Sequence, residues 1–154
     1  LAAAGVCAAQ ETVVVLGGPQ LARVVPPGFY FEGQSAPTQA RNSAAARLGE
    51  KRHVIAGLVD TSGYSADVRA KDERFFITDS PINVGDAQLG VGAYGFGVTD
   101  EGKFNVFDVG GREVLSVWAT ADRGLRRPRP LMLSHTRGEL RLYSGRSYVV
   151  LAAR

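Results

Sequence analysis

The chain has few of the residues that carry chemistry, and each shortage excludes a class of protein. Cys7 is the single cysteine among 154 residues, so no disulfide forms within the chain. His53 and His135 are its two histidines, too few for the usual sets of Cys and His ligands around zinc. No stretch approaches about 18 consecutive apolar residues, the length that a membrane span needs. The sequence therefore predicts no metal, no cofactor and no transmembrane span.

Glycine, in contrast, is abundant, with 19 among 154 residues against a usual share of about 7%. Apolar and β-branched runs such as Thr12–Leu16 and His53–Val59 alternate with glycine turns such as Gly110-Gly111. Many short strands joined by glycine-rich turns are typical of all-β domains. We predict a single β domain over residues 11–154. Its expected fold is an antiparallel β-sandwich of about eight to ten short strands, with a closed up-and-down β-barrel as the alternative.

Residues 38–48 fit two kinds of secondary structure. With a period of two, Ala44, Ala46 and Leu48 share one face, which favours a strand. As a helix, the segment would begin after Pro37 and end at Gly49, and its three consecutive alanines favour that interpretation. Because the surrounding sequence is all-β, we predict a strand.

Three glycine–tyrosine spacings resemble the tyrosine corner of antiparallel β-sandwiches. They are Gly28-Phe29-Tyr30, Gly92-Ala93-Tyr94 and Gly145-Arg146-Ser147-Tyr148. In a tyrosine corner, a tyrosine near the start of a strand turns its hydroxyl back to the upstream backbone. We therefore expect all three tyrosines near strand starts, with at least one hydroxyl bonded to backbone.

Residues 89–98 form a predicted strand with glycine at four positions. Gly90 to Gly95 spell G-x-G-x-x-G, but no helix follows to hold a pyrophosphate, so a nucleotide site is not predicted. Glycine inside a strand often marks the close approach of a ring or another backbone. We expect such a neighbour above Gly95 and Gly97, with Trp118 as the favoured ring.

The first ten residues resemble the end of a secretory signal peptide. Small residues, mostly alanine, precede the first charge at Glu11, as they do before a signal-peptide cleavage site. An alanine-rich N-terminal helix is the alternative. We predict that residues 1–10 are a signal-peptide remnant or an N-terminal tail, and that the protein is periplasmic or secreted.

Catalytic motifs are incomplete in this chain. Asp60-Thr61-Ser62-Gly63 resembles the loop of aspartic proteases, but its glycine comes one position late and no second copy follows. Residues 63–67 lack the last glycine of a G-x-S-x-G nucleophile elbow. The two histidines fit exposed or strand-edge positions. No enzyme activity is predicted, and a hydrolase whose site is not visible in the sequence is retained as an alternative.

The last fifth of the chain is basic. Residues 123–154 carry eight arginines and one acid, Glu139, whereas residues 1–122 carry ten basic and fourteen acidic side chains. Prolines at 128 and 130 favour an extended path with splayed side chains, and guanidinium groups suit carboxylates and phosphates. The predicted partner-binding residues are Arg123, Arg126, Arg127 and Arg129. The expected partner is a protein or a small anionic ligand, and nucleic acid is not predicted because no aromatic residue interrupts this segment.

Together these features predict an exported, non-enzymatic binding or interaction module. The main alternative is a structural subunit of an envelope or surface assembly, with oligomer formation. A solvated loop is the competing interpretation of the basic segment. A large closed apolar cavity would favour a small-ligand carrier, and an exposed edge strand with apolar side chains would favour assembly. A cleft that joins His, Ser and Asp would favour a hydrolase.

Overall fold

Two antiparallel β-sheets pack face to face in the computed structural model, which describes residues 12–60 and 74–154. This confirms the predicted all-β sandwich, and the sheets of these residues do not close into a barrel. The Thr61–Gly63 part of the protease-like motif and the incomplete elbow motif at residues 63–67 lie outside the described residues.

The described residues form one helix and fourteen strands. In chain order they are β1 (Val13–Val15), α1 (Gly18–Val24), β2 (Gly28–Phe31), β3 (Gln34–Leu48), β4 (Arg52–Val59), β5 (Arg74–Thr78), β6 (Ile82–Val84), β7 (Ala87–Leu89), β8 (Gly92–Val98), β9 (Lys103–Phe107), β10 (Glu113–Trp118), β11 (Thr120–Ala121), β12 (Arg129–Thr136), β13 (Glu139–Gly145) and β14 (Ser147–Ala153). Several of these strands have only two to four residues, so the structure has more strands than the turn spacing predicts.

Each sheet has a simple antiparallel order. The first runs β1-β3-β4-β5-β8-β9-β10, and β2 pairs with β3 beside it. The second runs β12-β13-β14-β6-β7, and β11 pairs with β14. The apolar residues of both inner faces form the main core, in which Phe96 and Phe104 stack with their ring centroids 5.0 Å apart. The side chains that face this core come from alternate positions of each strand, since successive side chains point to opposite faces of a sheet.

The helix α1 was not predicted, because Gly17, Gly18 and Pro19 suggest a turn. Pro19 instead occupies the first turn of the helix, where the N–H that proline lacks has no intrahelical partner anyway. The helix is seven residues long. In the part of the chain that the structure describes, no helix is long and apolar enough to cross a membrane.

The predicted strand over residues 38–48 is confirmed as part of the fifteen-residue β3. An irregularity between Thr38 and Ser43 divides this strand. Before it, β3 pairs with β2, and after it β3 pairs with β4. Residues 28–38 thus form a hairpin, here called the arm. Its turn residues Glu32 and Gly33 both have positive φ, at 46° and 80°, as in the type I′ turns that suit hairpins.

The arm crosses the outer face of the first sheet. At its tip, the Glu32 N–H donates to the Val109 carbonyl at 2.7 Å, beyond the end of β9. Beneath the arm lies a second apolar cluster, in which Phe29 stacks on Phe75 with ring centroids 5.2 Å apart. The sheet is therefore covered on both faces, by the second sheet on one side and by the arm on the other.

Glycines alternate with phenylalanines in one row across the first sheet. Gly57 pairs with Phe75, Phe75 with Gly95, and Gly95 with Phe107. The rings beside Gly95 in this register are thus Phe75 and Phe107, both members of the cluster under the arm. Trp118, the ring favoured by the sequence, is instead 65% exposed. It pairs with Lys103, whose ammonium lies 4.5 Å from the ring centroid.

The tyrosine corner is confirmed at Tyr94. Its hydroxyl donates to the Gly90 carbonyl at 2.8 Å, and Tyr94 is the third residue of β8. A Cβ on Gly92 would lie 3.0 Å from the same hydroxyl oxygen, so glycine makes room for the returning ring. Tyr30 and Tyr148 also lie within a few residues of strand starts, but Tyr30 is 57% exposed.

Candidate functional site: the basic loop

The four predicted arginines lie on one loop that wraps the tip of a hairpin. This loop, residues 122–129, is here called the basic loop, and it connects β11 to β12. On one side β11 pairs with β14, with Thr120 opposite Tyr148. On the other side β12 pairs with β13, with Arg129 opposite Gly145. Because β13 and β14 pair with each other, the basic loop must pass around the turn between them.

Asp122 shapes the backbone of the basic loop. Its Oδ1 accepts the Gly124 N–H at 3.2 Å, and its carbonyl accepts the Leu125 N–H at 3.3 Å. The Asp122 N–H donates to the Arg146 carbonyl at 2.8 Å, and a guanidinium nitrogen of Arg146 donates to the Leu125 carbonyl. An aspartate that bonds the backbone two residues on is a typical turn former. The loop is thus tied to itself and to the hairpin that it surrounds.

The second carboxylate oxygen of Asp122 belongs to a partly buried polar network. Tyr143, which is 3% exposed, donates its hydroxyl to Asp122 Oδ2 at 2.7 Å, and Arg141 Nη1 lies 3.7 Å from the same oxygen. Arg141 also pairs with Glu139 at 3.0 Å and lies 4.3 Å above the Tyr148 ring centroid. The Asp122 carboxylate therefore already has its partners within the hairpin.

These contacts change the proton affinities of the network. Burial raises the pKa of Tyr143, and the acidic neighbour Asp122 adds to the rise while Arg141 opposes it. The hydrogen bond from Arg141 to Tyr143 is the main cause that raises the pKa of Arg141 above its ordinary value. At neutral pH the Tyr143 hydroxyl therefore keeps its proton and the Arg141 guanidinium keeps its charge.

The four arginines themselves project into solvent. All four are exposed: Arg123, Arg126, Arg127 and Arg129. Within residues 12–60 and 74–154, none of their guanidinium groups takes part in an ion pair or a side-chain hydrogen bond. The nearest acid along the chain, Asp122, is already engaged. The structure thus brings the predicted residues together on an ordered backbone and leaves their charges available.

The sequence did not identify the supporting residues. Asp122 directly precedes the arginine run, but its partner Tyr143 lies 21 residues further on. No spacing rule connects positions that far apart, because their contact depends on β11 and β13 both lying beside β14. Tyr143 follows an apolar residue in a strand-like run, and nothing local distinguishes it from other strand tyrosines.

Within residues 12–60 and 74–154, the structure places one histidine beside an acidic residue. His53 Nδ1 lies 3.4 Å from Asp79 Oδ2, and the His53 backbone N–H donates to Asp79 Oδ1 at 2.7 Å. The neighbouring Ser80 hydroxyl is buried without a hydrogen-bond partner, so Ser80 is not bonded to His53. Among the described residues, no three His, Cys, Asp or Glu side chains group as metal ligands do.

An apolar cleft of about 550 Å³ lies between α1 and β3, at the base of the arm. It is lined by Gly18, Leu21, Ala22, Val25, Pro26, Pro27, Thr38, Ala40 and Ser43. The hydroxyls of Thr38 and Ser43 already donate to backbone carbonyls, at 2.6 and 2.7 Å. The centre of the sandwich, between Phe76 and Leu142, has no room for a water molecule. Neither space is lined by the basic loop.

No protein-family model, curated protein or solved structure matches this chain.

Proposed function

We propose that the protein is a non-enzymatic binding module that holds an anionic partner on the basic loop. The observation that carries this proposal is the set of four exposed, unpaired guanidinium groups on a loop with an internally bonded backbone. Guanidinium groups form bidentate hydrogen bonds with carboxylates and phosphates. Export to the periplasm or the exterior belongs to the same proposal and rests on the small residues that precede Glu11.

An ordered backbone supports binding by this loop. Immobilising a flexible side chain or loop on association costs about 0.5–1.5 kcal/mol per side chain. The contacts of Asp122 and Arg146 order the backbone before any partner arrives, so that only the arginine side chains have to be immobilised. The proline at 128 restricts the chain further, because its ring holds φ near one value.

Replacement of all four loop arginines by serine tests the proposal. The probe is fluorescent poly-glutamate, titrated at ionic strengths from about 0.02 to 0.3 M, on both sides of the point where the screening length is near 8 Å. The wild type should bind at low ionic strength and weaken steeply as salt rises, whereas the variant should lose binding.

A matched control changes the same charge elsewhere. Arg23, Arg41, Arg112 and Arg137 are also exposed, and serine at these four positions lowers the net charge equally. This control should keep most of the binding. Both variants should unfold within about 0.5 kcal/mol of the wild type, as surface substitutions usually do. Equal loss of binding in the two variants would mean that net charge alone attracts the probe, and the proposal would be abandoned.

A structural subunit of a larger assembly is the second candidate function. It is favoured by β10, the last strand of the first sheet, where Val114 is 45% and Trp118 65% exposed. Edge strands with exposed apolar side chains are typical sites of pairing between chains. The bulge at residues 113–115 opposes such pairing. Sedimentation of the wild type and of Trp118→Ser at several concentrations distinguishes this candidate, because only assembly through β10 would be lost in the variant.

A further inference from the structure

The path of the basic loop sets the distance over which its charges are spread. From β11 to β12 the loop crosses β14 and β13, which is three strand spacings. Neighbouring strands lie about 4.8 Å apart, so the two ends of the loop are roughly 14 Å apart. Arg123 follows the first end and Arg129 forms the second. The guanidinium groups therefore lie along a ridge and do not surround a single point.

We infer that the basic loop recognises an extended, carboxylate-rich polypeptide segment, contacted by several arginines at once. This inference rests on the proposed function and specifies its partner. An extended chain rises about 3.3 Å per residue, so roughly four residues match a ridge of about 14 Å. A single carboxylate or phosphate contacts only part of the ridge, and the loop does not line the apolar cleft between α1 and β3.

The aromatic side chains around the loop favour a polypeptide over nucleic acid. Single-stranded nucleic acid is usually bound by stacking its bases on aromatic rings. Tyr143 is buried and donates to Asp122, and the Tyr148 ring is covered by Arg141. The two rings also contact each other, with their centroids 5.2 Å apart, so both are engaged within the hairpin. Acidic side chains on a peptide require only the guanidinium groups that the loop presents.

A length series of glutamate peptides tests the inference. The probes are free glutamate, inorganic phosphate, and peptides of two, four and eight glutamates, each titrated against the wild type at low ionic strength. Each exposed ion pair adds a factor of roughly 1.4 to 5 in affinity. Affinity should therefore rise by a factor of roughly 2 to 25 from two to four glutamates, and should rise less from four to eight once the ridge is filled. An eight-residue glutamine peptide should not bind.

Two further probes separate failure of this inference from failure of the proposed function. If inorganic phosphate bound as tightly as four glutamates, and the four-serine variant lost both, the loop would still be an anion site but the extended partner would be wrong. If an eight-nucleotide thymidine strand bound much more tightly than eight glutamates, the loop would again be an anion site, but the polypeptide partner would be wrong. If none of these anions, poly-glutamate included, bound the wild type, both proposals would be overturned.

Discussion

The ring of Phe75 lies directly across the backbone of Gly57. A Cβ placed on Gly57 would sit 2.7 Å from Phe75 Cε1 and 2.7 Å from Ser43 Oγ, much closer than carbon atoms approach each other in proteins. Phe75 is fully buried under the arm and stacks on Phe29. The absence of one side chain on β4 thus allows the aromatic cluster to form on a face that sheets in sandwiches usually leave to solvent.

Gly57→Ala should therefore destabilise the protein. The added methyl group has to displace a buried ring, and overpacking of this kind costs about 1–3 kcal/mol. Chemical unfolding followed by the fluorescence of Trp118 measures the loss. Gly90→Ala is the control, because nothing lies within 4 Å of a Cβ at that position. Equal stability of the two variants would show that the Phe75 ring moves without cost, and that glycine is not required at position 57.

The tyrosine corner should contribute measurably to stability. Tyr94→Phe removes the hydroxyl that donates to the Gly90 carbonyl, and a hydrogen bond of this kind contributes about 0.5–1.5 kcal/mol. Thermal unfolding should show a lower midpoint for this variant. Tyr30→Phe is the matched control, since Tyr30 is 57% exposed and its hydroxyl forms no hydrogen bond in the described part of the chain. If neither variant changed the unfolding midpoint, the hydrogen bond of the tyrosine corner would not contribute to stability.

Asp122 should matter for stability, unlike the four arginines that follow it. Asp122→Ala leaves the buried Tyr143 hydroxyl without its acceptor and frees the Gly124 N–H. Loss of a partner for a buried polar group costs about 1–3 kcal/mol. Urea unfolding measures this loss, with Asp100→Ala, at an exposed turn, as the control. The variant should also bind poly-glutamate more weakly despite its more positive charge, because the loop is no longer ordered. Tighter binding would show that charge outweighs loop geometry.

Stability should fall at alkaline pH through Tyr143. Burial raises its pKa above the ordinary value of 10.0, so the folded protein holds this proton more tightly than the unfolded chain. The associated stabilisation is complete below about pH 10 and is lost as the pH rises from there through the raised value. Burial also raises the pKa of Tyr94, with a smaller contribution from Asp108, so Tyr94 acts in the same direction.

Comparison of unfolding free energies between pH 8 and pH 11.5, about two units below and about 1.5 units above the unfolded pKa, tests this dependence. Tyr143→Phe has no proton to lose and should show a shallower decline than the wild type. Tyr30→Phe, at an exposed position, is the control for removal of a hydroxyl. Parallel curves for the wild type and Tyr143→Phe would mean that burial of Tyr143 does not contribute to alkaline unfolding.

Local patterns in the sequence were sufficient for several features of the fold. Short alternating runs between glycine turns predicted two antiparallel sheets, because the side-chain period of a strand is visible within a few residues. The spacing of Gly90, Gly92 and Tyr94 predicted the corner, because all of its atoms lie within five residues. The clustering of four arginines with two prolines predicted the exposed basic loop for the same reason.

Other features depend on contacts between distant parts of the chain. The helix α1 was missed because the glycines and the proline at residues 17–19 suggest a turn. The arm was missed because Glu32-Gly33 is an uncommon sequence for the turn of a tight hairpin. Trp118 was placed over Gly95 from its strand position, but register put it opposite Lys103 and in solvent. A one-residue difference in register moves a side chain to the other face of the sheet. The register itself depends on the pairing of all the strands in the sheet.

The sequence by itself determined the all-β class, the corner at Tyr94 and the run of arginines, since each depends on neighbouring residues. The all-β class in turn favoured a strand over a helix at residues 38–48. Only the tertiary structure decided that Asp122 bonds Tyr143, that Phe75 requires glycine at position 57, and that the basic loop passes around a hairpin. The first two of these contacts join residues 21 and 18 positions apart. Their partners are chosen by strand order and register, which minimise the free energy of the folded chain as a whole.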